Sequence, residues 1–145
     1  MRVWCGSLTA MRPETTVLFA CVQNAGRSQM AAAYFNRLAN PAKARAISAG
    51  TRPGEHVHPE VVAAMKEVGI DMSAARPTKL TDEVARRAQV LITMGCGDEC
   101  PFVPGARRDD WPIADPKGQP GDRVRAIRDD IHARVDALIR QEHWG

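Results

Sequence analysis

The segment from Cys21 to Ser28, with the sequence CVQNAGRS, has the residue types of an oxyanion-binding loop. A tight loop that enters a helix turns successive backbone N–H groups inward, and the helix dipole adds positive potential there. Asn24 and Gly26 are residue types that tolerate the left-handed backbone angles such a loop needs. A tetrahedral oxyanion is therefore predicted to bind to Val22, Gln23, Asn24, Ala25, Gly26, Arg27 and Ser28.

Four side chains in and near this loop suit nucleophilic chemistry. Arg27 can offer two parallel N–H bonds to an oxyanion, and the same positive field favours the nucleophilic thiolate form of Cys21. Ser28 either donates a hydrogen bond to that sulfur or caps the following helix, and the sequence leaves both roles open. A departing oxygen needs a proton donor, for which we predict Asp115, stiffened by Pro116; the alternative is that Asp115 only starts a turn.

Two further cysteines, Cys96 and Cys100, lie four residues apart. On a helical turn this spacing places their Cα atoms about 6 Å apart, within the range of a disulfide bond. We expect a surface loop to present that bond, and Gly95 and Gly97 suggest the hypothesis that the loop moves. A zinc half-site or two unrelated thiols are the alternatives, but no histidine has a standard ligand spacing, so no metal site is predicted.

Alternating apolar segments predict the elements that position these residues. A doubly buried strand is expected from Thr16 to Val22, followed by a helix that buries Met30, Ala31, Tyr34, Phe35 and Leu38. Further along the chain we predict a strand at 44–48, a helix at 60–68, a short helix at 82–87, a strand at 89–94 and a loop over most of 95–115. A last helix is expected to be capped by Asp122 and to bury Val124, Ile127, Ile131, Val135 and Leu138.

Strands that alternate with helices predict an α/β sandwich with a parallel sheet, in which ligands bind beyond the carboxyl ends of the strands. Cys21 and Cys96 both follow predicted strands. We expect a single catalytic domain over residues 15–145 and a flexible extension over residues 1–14, so Cys5 is given little weight.

Composition limits the partners and the compartment. The formal net charge of +3 comes from scattered basic residues, so no nucleic-acid patch is predicted. No apolar run approaches the roughly 18 residues of a membrane span, and the N-terminus lacks the features of a signal peptide. We therefore expect a cytoplasmic protein without a membrane partner, in a reducing compartment where cysteines tend to be buried, catalytic, redox-active or metal-bound.

Over about residues 15–140 the sequence resembles the low-molecular-weight tyrosine phosphatase superfamily. The resemblance lies in Cys21 to Ala31, Ser48-Ala49-Gly50, Asp115-Pro116 and the terminal helix. Within the superfamily the chain is most similar to thioredoxin-coupled arsenate reductases. It has Gln29 where the phosphatases typically have proline, it has the Cys96 and Cys100 pair, and no tyrosine follows Asp115-Pro116.

The resemblance implies a three-layer sandwich with a central, mostly parallel four-stranded sheet, and the reduction of arsenate to arsenite. Cys21 would attack arsenic while Arg27 and the loop amides hold its oxygens and Asp115 protonates the leaving hydroxide. Cys96 would then attack Cys21 and release arsenite, and Cys100 would attack Cys96. Thioredoxin or a similar thiol would reduce the final disulfide, and we expect a monomer with no bound cofactor, for which phosphate and sulfate are substrate analogues.

Three other functions remain open at this stage. A phosphotyrosine phosphatase would need Cys21, Arg27 and Asp115 but neither later cysteine, and an arsenate–mycothiol transferase would also need neither. A non-catalytic anion-binding or redox-sensing module would need reactive thiols but no proton donor. Known reductases of the thioredoxin-linked type separate their later cysteines by more residues and often carry glutamate, associated with potassium binding, where Ala32 stands. We therefore predict no potassium dependence.

Overall fold

The computed structural model describes residues 15–96, 100 and 103–145. The expected extension at residues 1–14, with Cys5, lies outside the described residues. In chain order the described elements are β1 (Thr15–Cys21), α1 (Arg27–Leu38), β2 (Ala44–Gly50), α2 (Pro59–Glu67), α3 (Asp82–Arg86), β3 (Val90–Thr93), β4 (Arg107–Asp110) and α4 (Gly121–Glu142).

The four strands form one sheet in the order β2-β1-β3-β4, and every pairing within it is parallel. The carboxyl ends of the strands therefore meet at one edge: Cys21 is in register with Gly50, and Ala20 with Thr93, which in turn is in register with Asp110. The predicted parallel sheet is confirmed. Its geometry places the loop after β1 where ligands bind in sheets of this kind.

Both faces of β1 are buried, as its continuous apolar sequence predicts. Val17 and Phe19 pack in a cluster with residues of α1, α2 and α4, including Met30, Met65 and Ile131. Leu18 and Ala20 point to the other face, where they pack with Ala85 of α3 and with Cys96 and Cys100. Helices on both sides of a central sheet make the expected three-layer sandwich.

Helix α4 buries the predicted stripe of Val124, Ile127, Ile131, Val135 and Leu138. The Arg128 side chain is buried beside this stripe; it donates to the Ala64 carbonyl at 2.8 Å and to Glu67 at 2.9 Å. Both acceptors belong to α2, so α4 fixes the position of that helix. No described helix combines the length and the apolar character needed to cross a membrane.

Three predictions of local structure were wrong. Leu38, expected on the buried face of α1, is the last residue of that helix and is 38% exposed. Within the segment expected to be loop, Arg107–Asp110 forms the edge strand β4, whose residues are all exposed. An exposed edge strand carries no apolar pattern, so only its backbone pairing with β3 defines it. Asp122 is not the cap of α4: Pro120 occupies the N-cap position without a side-chain hydrogen bond, and Asp122 lies in the first turn.

Candidate active site

The loop between β1 and α1 has the left-handed residue that an oxyanion loop requires. Asn24 has φ 49°, as predicted. The same expectation was wrong for Gly26, whose φ is −143°. Gly26 is needed instead for close approach, since a Cβ there would lie 2.9 Å from Cγ of Pro116. The segment that follows Asp115 therefore packs directly against the loop.

The sulfur of Cys21 lies 2.8 Å from Oγ of Ser28, and the Cys21 side chain is buried and unbonded. The amide Nδ2 of Asn24 donates to the same Ser28 oxygen at 2.7 Å. Because Ser28 Oγ accepts this hydrogen bond, its own proton is free to point toward Cys21. Of the two roles left open for Ser28, the structure has the sulfur contact, and α1 has no side-chain cap.

A network of hydrogen bonds behind the loop holds Asn24 in place. Its Oδ1 accepts from the Thr78 N–H at 2.8 Å and from Nε2 of Gln29 at 3.1 Å. A Cβ at Gly50 would lie 2.5 Å from the Val22 carbonyl oxygen, so the end of β2 packs against the loop backbone. The side chains of Asn24 and Ser28 are fully buried and do not line the cavity.

In front of the loop lies a cavity of about 170 Å³. It is lined by Cys21, Val22, Gln23, Ala25, Gly26, Arg27, His58 and Asp115. The structure thus brings together most of the predicted site. A larger cavity of about 450 Å³ lies beside β2, lined among others by Ala32 and Ser48, but none of its lining residues in the described part of the chain is a cysteine.

Arg27 connects the loop to the segment of the predicted proton donor. Its Nη1 donates to the Ile113 carbonyl at 3.0 Å, and its Nη2 lies 3.8 Å from Oδ2 of Asp115. The Arg27 side chain is mostly buried, whereas that of Asp115 is 52% exposed. Oδ1 of Asp115 accepts from the Lys117 N–H at 3.0 Å, so the alternative role of Asp115 as the start of a turn also holds. One carboxylate both lines the cavity and stabilises its own turn.

Cys96 and Cys100 are joined by a disulfide bond, with their Cα atoms 5.5 Å apart. Both residues are buried, so the expectation that the loop presents this bond at the surface was wrong. The Cys96 sulfur lies 3.8 Å from the carbonyl oxygen of Ala20, the residue before Cys21. Cys96 and Cys100 do not line the cavity, because they pack in the cluster on the opposite face of the sheet from Cys21.

Sequence reasoning missed His58 as a cavity residue. His58 is the N-cap residue of α2, and its N–H donates to the Ala25 carbonyl at 2.9 Å, which ties the helix to the anion loop. Burial lowers the pKa of His58 below its usual value, an effect that the nearby Glu60 and Asp115 carboxylates oppose. Pro59, a frequent first residue of helices, was the available signal for the N-cap, but nothing in the sequence places that end beside Cys21.

The fold and the site together define a class of cysteine-dependent enzyme: a buried cysteine ends the first strand of a parallel sheet, and an arginine-bearing oxyanion loop joins it to a helix. The chain belongs to the family of low molecular weight phosphotyrosine protein phosphatases, whose pattern matches residues 16–143.

Several relatives within this family are arsenate reductases by name. The chain is 39% identical to a Halobacterium salinarum protein provisionally named an arsenate reductase, over 83% of this chain and 88% of the relative. It is 35% identical to the glutaredoxin arsenate reductase of Synechocystis, over 85% of this chain and 95% of the relative. A solved structure of a thioredoxin-dependent arsenate reductase from Corynebacterium glutamicum has a TM-score of 0.78 at 38% identity; 93% of this chain is covered, and the chain spans 65% of that protein's length.

Proposed function

We propose that this protein reduces arsenate to arsenite, with Cys21 as the nucleophile and Cys96 and Cys100 as a second redox pair. The observation that carries this proposal is the Cys96–Cys100 disulfide, which lies against Ala20, directly before Cys21 in the chain. A phosphatase needs only Cys21, Arg27 and Asp115 and has no use for a thiol pair beside its nucleophile. The names of the relatives support the same activity.

In the proposed first step, arsenate binds in the cavity before the anion loop. Arg27 and the loop N–H groups hold its oxygens, and the Cys21 thiolate attacks the arsenic atom. A sulfur–arsenic bond forms and one arsenic–oxygen bond breaks. The departing hydroxide takes a proton from Asp115 and leaves as water. The contact between Ser28 and the Cys21 sulfur supports the role of Cys21 as the nucleophile, because a donated hydrogen bond stabilises a thiolate.

The later steps release arsenite and transfer the resulting disulfide from Cys21 to the Cys96 and Cys100 pair. The Cys96 thiolate attacks the Cys21 sulfur, and the electron pair of the sulfur–arsenic bond stays on arsenic, which leaves as arsenite. The Cys100 thiolate then attacks Cys96, which forms the Cys96–Cys100 bond and returns Cys21 to its thiolate form. A free Cys21 beside a bonded Cys96–Cys100 pair is the connectivity that this last exchange would leave.

The relay requires a conformational change. Cys21 packs on one face of the sheet and Cys96 on the other, so Cys96 must move around the end of β1 to reach Cys21. Gly95, with φ 98°, precedes Cys96 and is a residue type that can absorb such a change. The buried disulfide must also become accessible before an external thiol can attack it.

The proposed partners are arsenate and a thioredoxin-like protein, with no bound cofactor. One related arsenate reductase is named for thioredoxin and another for glutaredoxin, so both proteins are candidate reductants. A mycothiol-dependent transfer would leave Cys96 and Cys100 without a role. A cytoplasmic location and a monomeric state remain part of the proposal.

Hydrolysis of phosphotyrosine is the second candidate, favoured by the family and by a shared first step. The cavity is small, and its lining includes no phenylalanine, tyrosine or tryptophan from the described part of the chain. Tyr34, the single tyrosine, is stacked on His132 with the ring centroids 4.5 Å apart and does not line the cavity. These features favour a compact inorganic oxyanion over an aryl ester.

The test is arsenite production from arsenate with thioredoxin, thioredoxin reductase and NADPH. We expect Cys21→Ser, Cys96→Ser and Cys100→Ser each to lower turnover by about a hundredfold or more, because the relay needs all three sulfurs. Cys5→Ser, the matched control, should keep wild-type turnover. Hydrolysis of p-nitrophenyl phosphate without arsenate reduction would establish the phosphatase. Mycothiol-supported turnover that survives Cys96→Ser and Cys100→Ser would establish the small-thiol transferase.

A further inference from the structure

The turn that carries Asp115 is held by a side chain of helix α2. Oε2 of Glu60 accepts the N–H of Gly118 at 2.7 Å. Within the turn, the Gln119 N–H donates to the Pro116 carbonyl at 3.1 Å, and Gly118 has φ 70°. The Glu60 carboxylate is therefore hydrogen-bonded to the middle of the turn that directly follows Asp115.

Helix α2 is itself fixed relative to the anion loop. At its first turn the N–H of His58 donates to Ala25 of the loop at 2.9 Å. Further along the helix, Arg128 of α4 donates to the Ala64 carbonyl and to Glu67. A side chain on the first turn of α2 thus has a defined position relative to Cys21, and Glu60 is such a side chain.

The other contacts of Asp115 with the loop are weak or indirect. Nη2 of Arg27 is 3.8 Å from the Asp115 carboxylate, beyond a normal hydrogen bond. Pro116 packs on Gly26 through its ring, which limits how far the turn approaches but makes no directional bond. Asp115 is half exposed, and its own hydrogen bond to Lys117 lies within the same turn. Among the described contacts, the Glu60 hydrogen bond is the directional tie between this turn and α2.

We propose that Glu60 is a positioning residue: through Gly118 it holds the turn so that the Asp115 carboxyl stays over the anion cavity and can protonate the leaving oxygen. This inference rests on the proposed function, because it assigns Asp115 the role of acid. The hydrogen bond from Gly118 also holds the pKa of Glu60 below its usual range. Glu60 is therefore ionised at neutral pH, where a charge-assisted hydrogen bond is stronger than a neutral one.

The test compares single-turnover arsenite release by Glu60→Ala and Glu60→Gln with that of the wild type. We expect Glu60→Ala to lower the maximal rate about tenfold with little change in the arsenate concentration for half-maximal rate, because the acid and not the anion loop is displaced. Glu60→Gln keeps an oxygen acceptor for Gly118 and should restore most of the rate. In an Asp115→Asn background, Glu60→Ala should cause no further loss, since the group it positions is already absent.

Glu67→Ala is the matched control, because Glu67 is a hydrogen-bonded carboxylate at the other end of the same helix. Glu67→Ala should lower the stability of the protein without lowering the maximal rate of arsenite release. An equal rate loss in Glu67→Ala, or a loss by Glu60→Ala that persists undiminished in Asp115→Asn, would show that Glu60 acts only by stabilising the helix. A wild-type rate in Glu60→Ala would also overturn the proposal.

Aryl phosphates separate this inference from the proposed function. Protonation by an acid matters more for phenyl phosphate than for p-nitrophenyl phosphate, whose leaving group is more stable as an anion. If the chain hydrolyses both esters without reducing arsenate, and Glu60→Ala slows phenyl phosphate more, the proposed function fails and the role of Glu60 stands. If arsenate is reduced and Glu60→Ala does not change the rate of arsenite release, only the role of Glu60 fails. If neither reaction occurs, both fail.

Discussion

At the scale of single residues, Arg27 depends on the absence of a side chain at Gly95. A Cβ at Gly95 would overlap Nη1 of Arg27, the nitrogen that also donates to the Ile113 carbonyl. Gly95 has φ 98°, which is unfavourable for any residue with a Cβ. The glycine therefore serves two purposes: its backbone angle redirects the chain after β3, and its small size leaves room for the guanidinium of the anion site.

We predict that Gly95→Ala weakens phosphate binding about tenfold, because Arg27 must move away from the cavity. The left-handed backbone angle should also lower the free energy of unfolding by about 1–2 kcal/mol. Titration calorimetry with phosphate and urea denaturation measure the two effects.

Gly105→Ala is the control for this substitution. Gly105 has a similar φ of 82°, but a Cβ there would have no neighbour within 4 Å, so the variant should lose stability and keep the phosphate affinity. Unchanged phosphate binding in Gly95→Ala, or equal weakening in both variants, would contradict a specific contact with Arg27.

At the scale of the elements, helix α4 is the main support of the face that carries Cys21. It packs on α1 and α2, and Ile131 in its buried stripe is fully inaccessible. We predict that Ile131→Ala lowers the free energy of unfolding by about 2–5 kcal/mol, through lost apolar burial and the cavity left behind. Urea denaturation measures this loss.

Asp136→Ala on the exposed part of α4 provides the comparison. It removes the ion pair of Asp136 with Arg140, four residues further along the helix, whose side chains are 38% and 79% exposed, and should cost about 0.3–0.5 kcal/mol. A loss for Ile131→Ala as small as this would mean that α4 does not pack on α1 and α2 as described.

The sequence predicts the elements whose own residues form an apolar pattern that indicates burial. β1 and β3 are continuous apolar runs, and α4 has an apolar residue at each turn of one face. β4 has four exposed charged residues and is a strand only because its backbone pairs with β3. The formation of β4 depends on pairing with β3, and the residues of β4 themselves contain no pattern that predicts this pairing.

The same distinction applies to the site. Cys21, Arg27 and Ser28 lie within eight consecutive residues where β1 passes into α1, so their residue types and order were enough to predict an oxyanion site. His58, Glu60 and Gly95 contribute through contacts with segments far away in the chain, which only the folded structure brings together. Asp115 lies between these cases: its residue type led to the prediction of a proton donor, and the structure places it at the cavity, but the side chain that holds its turn was not predictable.

At the scale of the whole molecule, the sheet separates the two halves of the proposed relay. Cys21 belongs to the cluster under α1, α2 and α4, whereas the disulfide lies in the cluster with Ala85 of α3. Formation of a Cys21–Cys96 bond must therefore remove Cys96 from its buried position beside Ala20. That cluster loses part of its packing whenever the first disulfide forms, so chemistry and local unfolding are coupled.

This coupling predicts a difference in hydrogen exchange between two disulfide states. Starting from the fully reduced proteins, arsenate alone should convert Cys100→Ser into a trapped Cys21–Cys96 species and the intact chain into the Cys96–Cys100 form. Each disulfide formed supplies two electrons, so one arsenite is released per chain. In the trapped species we expect amides of α3 and of the end of β3 to exchange at least about tenfold faster, since Cys96 leaves the buried cluster that includes Leu18 and Leu91. Peptide mass spectrometry identifies the disulfides and measures the exchange.

The reduced Cys100→Ser protein, kept without arsenate, controls for the substitution itself. It retains an unbonded Cys96 and should exchange nearly as slowly as the intact chain, because nothing draws Cys96 out of the cluster. Fast exchange in this control would attribute the loosening to the missing Cys100 packing. Slow exchange in the trapped species would mean that Cys96 reaches Cys21 without leaving the α3 face, so the sheet would not be the barrier that the two clusters indicate.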